Sequence, residues 1–454
     1  MTTLLIDHAR LLATMDADRR EIPDGSVLIE DGVIRWAGPA DELADAWRRA
    51  PGLSTIDASN LVVLPGMVNT HHHLFQSLTR ALPQAQDAKL FDWLVSHYPR
   101  WNRLTPEMVY VSAKTAMAEL VLTGATSISD HLYLYANGAS IDDEIRAARE
   151  LGVRFHPCRG SMSIGESEGG LPPDSSVEDE CALLRETQQA IERWHDPERY
   201  AMCRIAVAPC APFNVSEDLM RRSAELAREY GVLLHTHVAE TQDEEAYTLE
   251  RVGMRPAAYM ASLGWVGPDV WWAHAVHLTA EEIALLAETG TGVAHCPSSN
   301  MRLGSGIAPV RAMLDAGVHV SLAVDGSASN DSNNMLAEAR QAMLLQRVAG
   351  GATALSAREA LEMATLEGAA VLGRDDIGAL APGMAADLIG YDLDALELAG
   401  AQADPLGALL LCVPGRVSLS IINGRVVVED GALVTADVSE LVARHNVLSR
   451  MLWR

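Results

Sequence analysis

The chain has 454 residues, 48% of them hydrophobic, enough for a large core spread over two or three domains. With 35 basic against 61 acidic residues the formal charge is −26, a surface that repels phosphate backbones and argues against nucleic acid as a partner. The start, Met1-Thr-Thr-Leu-Leu-Ile-Asp7, has no basic n-region, and no apolar run approaches the ~20 residues that span a bilayer, so no secretion signal and no membrane anchor is expected. Cys158, Cys181, Cys203, Cys210, Cys296 and Cys412 show no CxxC spacing, which suits reduced core thiols in a cytoplasmic enzyme.

In chain order, residues 3–12, 26–30 and 33–37 have strand character, with Asp24-Gly25 and Asp31-Gly32 as turns. The same texture returns at 387–391, 417–422 and Arg425–Glu429, with Asn423-Gly424 between the last two. Two β-rich ends around a different middle predict a small composite β-sandwich from residues 1–64 and 380–435, followed by a C-terminal helix in 436–454. The middle, 65–379, alternates strand and helix. After a first strand leading into His71, the expected strands are 126–131, 153–158, 204–209, 232–237, Val270–His274, 292–296 and 318–325. Helices are expected between them, among them Pro106–Leu122, 177–194 and 216–230, the last with Ser216 as N-cap and Gly231 as stop. Eight strands in alternation with helices predict an α/β fold, a (β/α)8 TIM-type barrel, whose chemistry sits at the C-terminal strand ends.

The first strand ends in Pro65-Gly-Met-Val-Asn-Thr-His-His-His73. Residues two apart in a strand share a side, so His71 and His73 can converge on one ion while His72 faces away. His235 and His237 share a face of the fifth strand with Glu240 just beyond it, His274 ends the sixth, and Asp325 ends the eighth. A histidine pair, a third histidine and an aspartate make a plausible N3O site for one divalent ion, zinc or ferrous iron, with a position open to water. An aspartate after seven mostly apolar residues is costly to bury unpaired.

These stretches, with Ala273-His-Ala-Val-His277, His295-Cys-Pro-Ser-Ser-Asn300 and Val324-Asp-Gly-Ser-Ala-Ser-Asn330, resemble the deaminase and chlorohydrolase branch of the amidohydrolase superfamily over nearly the whole chain. The resemblance implies that His71, His73, His237 and Asp325 hold the metal, that Glu240 shuttles protons, and that His274 hydrogen-bonds the attacking water. Asp325 is assigned a further part as proton acceptor. His235, His277 and His295 are read as supports behind the site. Binuclear relatives bridge two metals with a carboxylated lysine, but Lys89 and Lys114, the two lysines present, are not at central strand ends, so one ion is expected. For the substrate, Gln76 is expected to read an amide or amidine edge. Trp93 is expected to offer a flat apolar face, and His131 either a part of the pocket wall or a structural support. The run from His71 to Arg80, with Cys210-Ala-Pro-Phe-Asn-Val-Ser216, is most similar to 8-oxoguanine deaminases; triazine hydrolases and guanine deaminases are the alternatives. The implied reaction is hydrolytic loss of an amine from a small nitrogen heterocycle, and relatives imply a homo-oligomer. The other class weighed, an inactive barrel that only binds, is disfavoured because every expected ligand and proton carrier is present.

Overall fold

A computed structural model describes residues 3–412 and 414–453. The terminal segments supply β1 (Thr3–Ala13), β2 (Glu21–Glu30), β3 (Val33–Pro39), β4 (Leu53–Asp57) and β5 (Leu61–Pro65). The middle supplies β6 (Met67–Asn69), β7 (His72–His73), β8 (Ala125–Leu132), β9 (Arg154–Ser161), β10 (Ala206–Pro209), β11 (Leu233–Val238), β12 (Val270–His274), β13 (Gly292–His295), β14 (Val320–Leu322) and β15 (Asp325–Gly326). The chain then returns through β16 (Leu388–Asp392), β17 (Leu419–Ile422), β18 (Arg425–Glu429) and β19 (Ala432–Leu433), and a helix over Val438–Leu452 follows.

The terminal strands form one hydrogen-bonded sheet in the order β19-β18-β17-β16-β5-β1-β2-β3, with β4 also on β1. Its core is Ile6, Leu12, Val27, Ile29, Leu61, Val63, Leu388 and Ile421, drawn from both ends of the chain. β4 has only Leu53 and Ile56 as apolar residues, out of alternation, and none of its residues is fully buried, which is why the apolar pattern does not reveal it. The apolar run before the histidines is divided between two sheets. β5 pairs with β1 and β16 in the terminal sheet, whereas β6 pairs with β8 in the barrel. Gly66 makes this transfer possible, since a Cβ there would lie 2.0 Å from Thr126 Oγ1.

The barrel strands run parallel in the order β6-β8-β9-β10-β11-β12-β13-β14. Helices between them follow the expected signals: Thr105 caps Pro106–Leu122, and Ser216 caps Glu217–Tyr230, which stops at left-handed Gly231. Thr279 and Glu282 form a capping box at Ala280–Thr289. The barrel interior is filled by Trp271 among Val68, Ala206, Ala208, Ala294 and Ala323. The indole donates to Thr70 O at 3.1 Å and closes the floor beneath the strand ends.

The eighth strand differs from the expectation. Residues 318–325 are not one strand: β14 ends at Leu322, the chain turns, and Asp325 takes a left-handed φ of 62°. The barrel closes there through Thr70 N to Leu322 O, Asp325 N to His71 O, each 3.3 Å, and the short β7–β15 ladder. Asn69 bridges the seam, its Oδ1 accepting from Val324 N at 2.9 Å. A break in the ladder frees these residues to aim side chains inward.

Sheet and barrel are locked by a buried ion pair. Arg154 of β9 meets Asp387 through Nε–Oδ2 at 2.8 Å and Nη2–Oδ1 at 3.1 Å, and its Nη1 donates to Tyr200 O and Ala201 O, both at 2.7 Å. Removing one partner leaves an uncompensated buried charge. Arg154→Met is therefore expected to lower stability by about 3–5 kcal/mol in urea unfolding; a loss under ~1 kcal/mol would mean that the pair is dispensable.

The C-terminal helix braces the loop after β7: Ser449 Oγ donates to Leu78 O at 2.6 Å, and Ser77 Oγ lies 3.1 Å from His445 Nε2. All six cysteines are free thiols. Among the described residues no helix is long and apolar enough to cross a membrane.

Candidate active site

The C-terminal ends of β6–β7, β8, β11 and β12, together with β15, bring His71, His73, His131, His237, His274 and Asp325 into one buried cluster. Potential ligand atoms fall into two overlapping groups, His71–His73–His131–His237 and His71–His274–Asp325, each within 4.8 Å. His73 Nε2 is 3.1 Å from His237 Nε2 and 3.5 Å from Asp325 Oδ1, and His71 Nε2 is 3.2 Å from the same oxygen. Tetrahedral zinc with ligands at ~2.0–2.2 Å requires ligand atoms about 3.3–3.5 Å apart, a spacing close to these three separations.

Hydrogen bonds behind the rings fix their protons. His73 Nδ1–H donates to His131 O at 2.8 Å, and His237 Nδ1–H donates to Cys210 O at 2.6 Å. Both Nε2 atoms then carry lone pairs and face each other without a proton between them. His71 is set by a relay. His235 donates from Nδ1 to Trp271 O at 2.9 Å, leaving its Nε2 to accept from His71 Nδ1–H at 2.7 Å. The Nε2 of His71 is left buried and without a hydrogen-bond partner. Three bare imidazole nitrogens and a carboxylate oxygen converging in a buried space suit a divalent cation. Burial depresses the pKa of His71, His73 and His237, as neutral ligands require.

His72 faces away, as strand alternation expects, and lies 3.0 Å from Asn333 Oδ1. Lys114 pairs with Glu150 on the outer helices, and Lys89 precedes the helix Leu90–Trp101, so neither lysine reaches the cluster.

Glu240 lies two residues beyond β11 with its carboxylate buried, 3.6 Å from His274 Nε2. Burial pushes its pKa up to about 7, so it can exchange a proton near neutrality. The chain is held there by Glu244, whose two carboxylate oxygens accept from Ala239 N and Glu240 N, each at 2.8 Å. His274 donates from Nδ1 to Asn300 Oδ1 at 2.9 Å, turning Nε2 toward Glu240. Burial opposes its charge, but Glu240 and Asp325 outweigh that and raise its pKa. Left-handed φ values at Ala239 (55°), His274 (73°), Ala275 (50°) and Asp325 (62°) concentrate backbone strain at these strand ends.

A cavity adjoins the cluster. His73, His237, His274, Glu240 and Asp325 form its floor; Leu90, Leu94, Phe213 and Leu303 give apolar wall. Gln76 and Trp93 line it as expected. Trp93 anchors its indole on Ala328 O at 3.2 Å. Gln76 sits directly over Gly326, where a Cβ would lie 1.9 Å from its Oε1, so the glycine is required by space. His131 is absent from the wall: it belongs to the buried cluster, donating from Nε2 to Ala208 O at 2.7 Å and leaving Nδ1 without a partner. Tyr98, Tyr133, Asn214 and Ser329 also line the cavity and were not singled out from the sequence. Asn214 and Ser329 fall within stretches that carry the resemblance, whereas Tyr98, inside the helix Leu90–Trp101, and Tyr133, just past β8, have no such signal.

A parallel barrel with histidines and carboxylates gathered at its strand ends defines an amidohydrolase-type hydrolase. The chain belongs to the amidohydrolase family, whose model matches residues 62–427. It is 47% identical over 431 residues to an 8-oxoguanine deaminase of Pseudomonas aeruginosa, covering 94% of this chain and 95% of that protein. It is 37% identical to hydroxydechloroatrazine ethylaminohydrolase of Pseudomonas sp. strain ADP, covering 100% and 96%. Atrazine chlorohydrolase from Arthrobacter aurescens TC1, solved with zinc, superposes with a TM-score of 0.92 at 35% identity over 98% of this chain and 100% of that one. The protein is thus an enzyme of the heterocycle deaminase and hydrolase type.

Proposed function

We propose that the protein is a mononuclear zinc-dependent deaminase that converts 8-oxoguanine and water to urate and ammonia. The observation that carries the hydrolytic chemistry is the convergence of three unprotonated Nε2 atoms and Asp325 Oδ1 beside an otherwise unpaired Glu240. His71, His73, His237 and Asp325 would hold the ion, with iron as the substitute. When bound, it acts as a Lewis acid and lowers the pKa of water from ~15.7 toward ~7. Asp325 accepts a proton as the water adds to the amino-bearing carbon. Glu240 takes the other water proton to the adjacent ring nitrogen and then passes the proton held by Asp325 to the departing amine, so both water protons end in the ring N–H and in ammonia. His274, made more basic by the two carboxylates, stabilises negative charge developing on the attacking oxygen.

The purine choice is supported by the 47% identical relative. A triazine substrate is the second reading, supported by the 37% identical aminohydrolase and the structural likeness to the zinc-bound chlorohydrolase. Ammonia release from 8-oxoguanine, guanine and a hydroxy-aminotriazine separates them. The first is expected to dominate; preference for the triazine would overturn the purine assignment and leave the metal chemistry standing. Gln76→Ala is expected to weaken both purines by about 10-fold, the worth of one net hydrogen bond, with their ratio unchanged. A changed ratio would move Gln76 to the part of the base in which the two purines differ.

A further inference from the structure

We infer that Asn214 is a specificity-determining residue, its amide NH2 reading a carbonyl oxygen on the heterocycle remote from the amino-bearing carbon. The inference rests on the deaminase reading and names what part of the substrate the pocket recognises.

Asn214 stands in the loop after β10, 1% exposed, on the cavity wall. Its Oδ1 accepts from Ala211 N at 3.0 Å. A backbone N–H can only donate, so the oxygen must lie on that side and the NH2 on the other. There Nδ2 is buried and has no hydrogen-bond partner. The Tyr98 hydroxyl and the Cys210 thiol lie beside it without making a well-formed bond. Both lie within reach of its two hydrogens, yet neither meets hydrogen-bond geometry, so the donors remain for a ligand that offers a better acceptor. The backbone is pinned as well: Asn214 O accepts from Ser163 N at 3.0 Å and Ile164 N at 3.2 Å, and Asn214 N donates to Ala211 O at 3.1 Å. The cavity wall that Asn214 shares is partly apolar, with Leu90, Leu94, Phe213 and Leu303, and also carries the hydroxyls of Tyr98 and Tyr133.

Of the acceptors a neutral heterocycle offers, a lactam carbonyl is the strongest, and it satisfies this donor without a charge. A substrate lacking that oxygen leaves the donor buried and unpaired, which is how a pocket rejects a close analogue. 8-Oxoguanine carries two such oxygens. Guanine lacks the one on the five-membered ring, and 2-amino-8-oxopurine lacks the one on the six-membered ring.

Asn214→Asp is the informative variant, because it keeps an oxygen for Ala211 N–H and replaces the donor with an oxygen that repels a carbonyl. The measurement is kcat/KM for the three purines in wild type and variant, with metal content and thermal midpoint as controls. For 8-oxoguanine a loss of at least ~10²-fold is expected. One of the two ratios, to guanine or to 2-amino-8-oxopurine, should collapse by at least ~10-fold while the other holds. Equal loss on all three purines, or no loss, overturns the inference and leaves Asn214 a loop cap. If Asn214→Asp does not fold, Asn214→Ser is read by the same ratios. If the wild type turns over none of the purines, the purine reading fails separately. The ratio is then read between a hydroxy-aminotriazine and the analogue with hydrogen in place of its oxygen, and an unchanged ratio overturns the inference there too.

Discussion

Protein stripped of divalent ions is expected to lose turnover by at least ~10³-fold and to recover it with one equivalent of zinc per chain. The size of the effect follows from the water: without a cation its pKa returns toward ~15.7, and almost none is ionised at neutral pH. No residue near the cluster can replace that function, since Glu240 and Asp325 supply only weak bases. The stoichiometry follows from the ligands. The proposed ligands His71, His73, His237 and Asp325 make one set, and neither lysine is near enough to bridge a second ion. Elemental analysis and activity on the same samples make the check. Two tightly bound ions in active protein, or full activity in metal-free protein, would sink the mononuclear reading. His73→Ala should lose the ion along with activity, because its Nε2 lies within 3.5 Å of both His237 and Asp325.

Glu240→Gln is expected to lower kcat by at least ~10²-fold with metal content unchanged. The substitution keeps the size of the side chain and removes the proton it carries. Burial places the carboxyl near pKa 7, matched to proton transfer at neutral pH, and an amide has no such equilibrium. The backbone should not move, because Glu244 holds the Ala239 and Glu240 amides independently of the Glu240 side chain. His274→Asn should also lose kcat and keep the ion, since it is assigned no coordinating part. Its Nδ1 is bound to Asn300 and its Nε2 faces Glu240. Loss of metal in His274→Asn would mean that the ligand set has been misassigned, which the overlapping His71–His274–Asp325 group makes a real alternative.

Much of this protein could be read from local pattern. The helix over Pro106–Leu122, the strand over Val270–His274 and the caps at Ser216 and Gly231 lie where apolar period and end signals put them. The reason is that helix and strand periodicity, and the capping of orphan amides, are properties of neighbours in sequence. The opposite orientation of His72 follows from the same alternation. Eight alternating units then imply the barrel, and with it the end of the barrel where His237, Glu240 and His274 must lie.

Other features depend on partners far away in the chain. Asp325 reaches the cluster because β14 stops early and its backbone turns left-handed, held by His71 and paired against His72. Nothing within residues 318–325 announces that break, since the compensating hydrogen bonds come from the first strand. The bare Nε2 of His71 is set by Trp271 O through His235, a relay across β6, β11 and β12. The cavity wall is assembled likewise, with Gln76, Tyr98, Tyr133, Asn214 and Leu303 arriving from separate loops. Sequence by itself determined the elements, the barrel and the residue types offered at its mouth, because each depends on short-range periodicity. Only the tertiary structure decided which nitrogens are bare, which amide lacks a partner and that His131 stays off the cavity wall, because those depend on which distant groups meet in space.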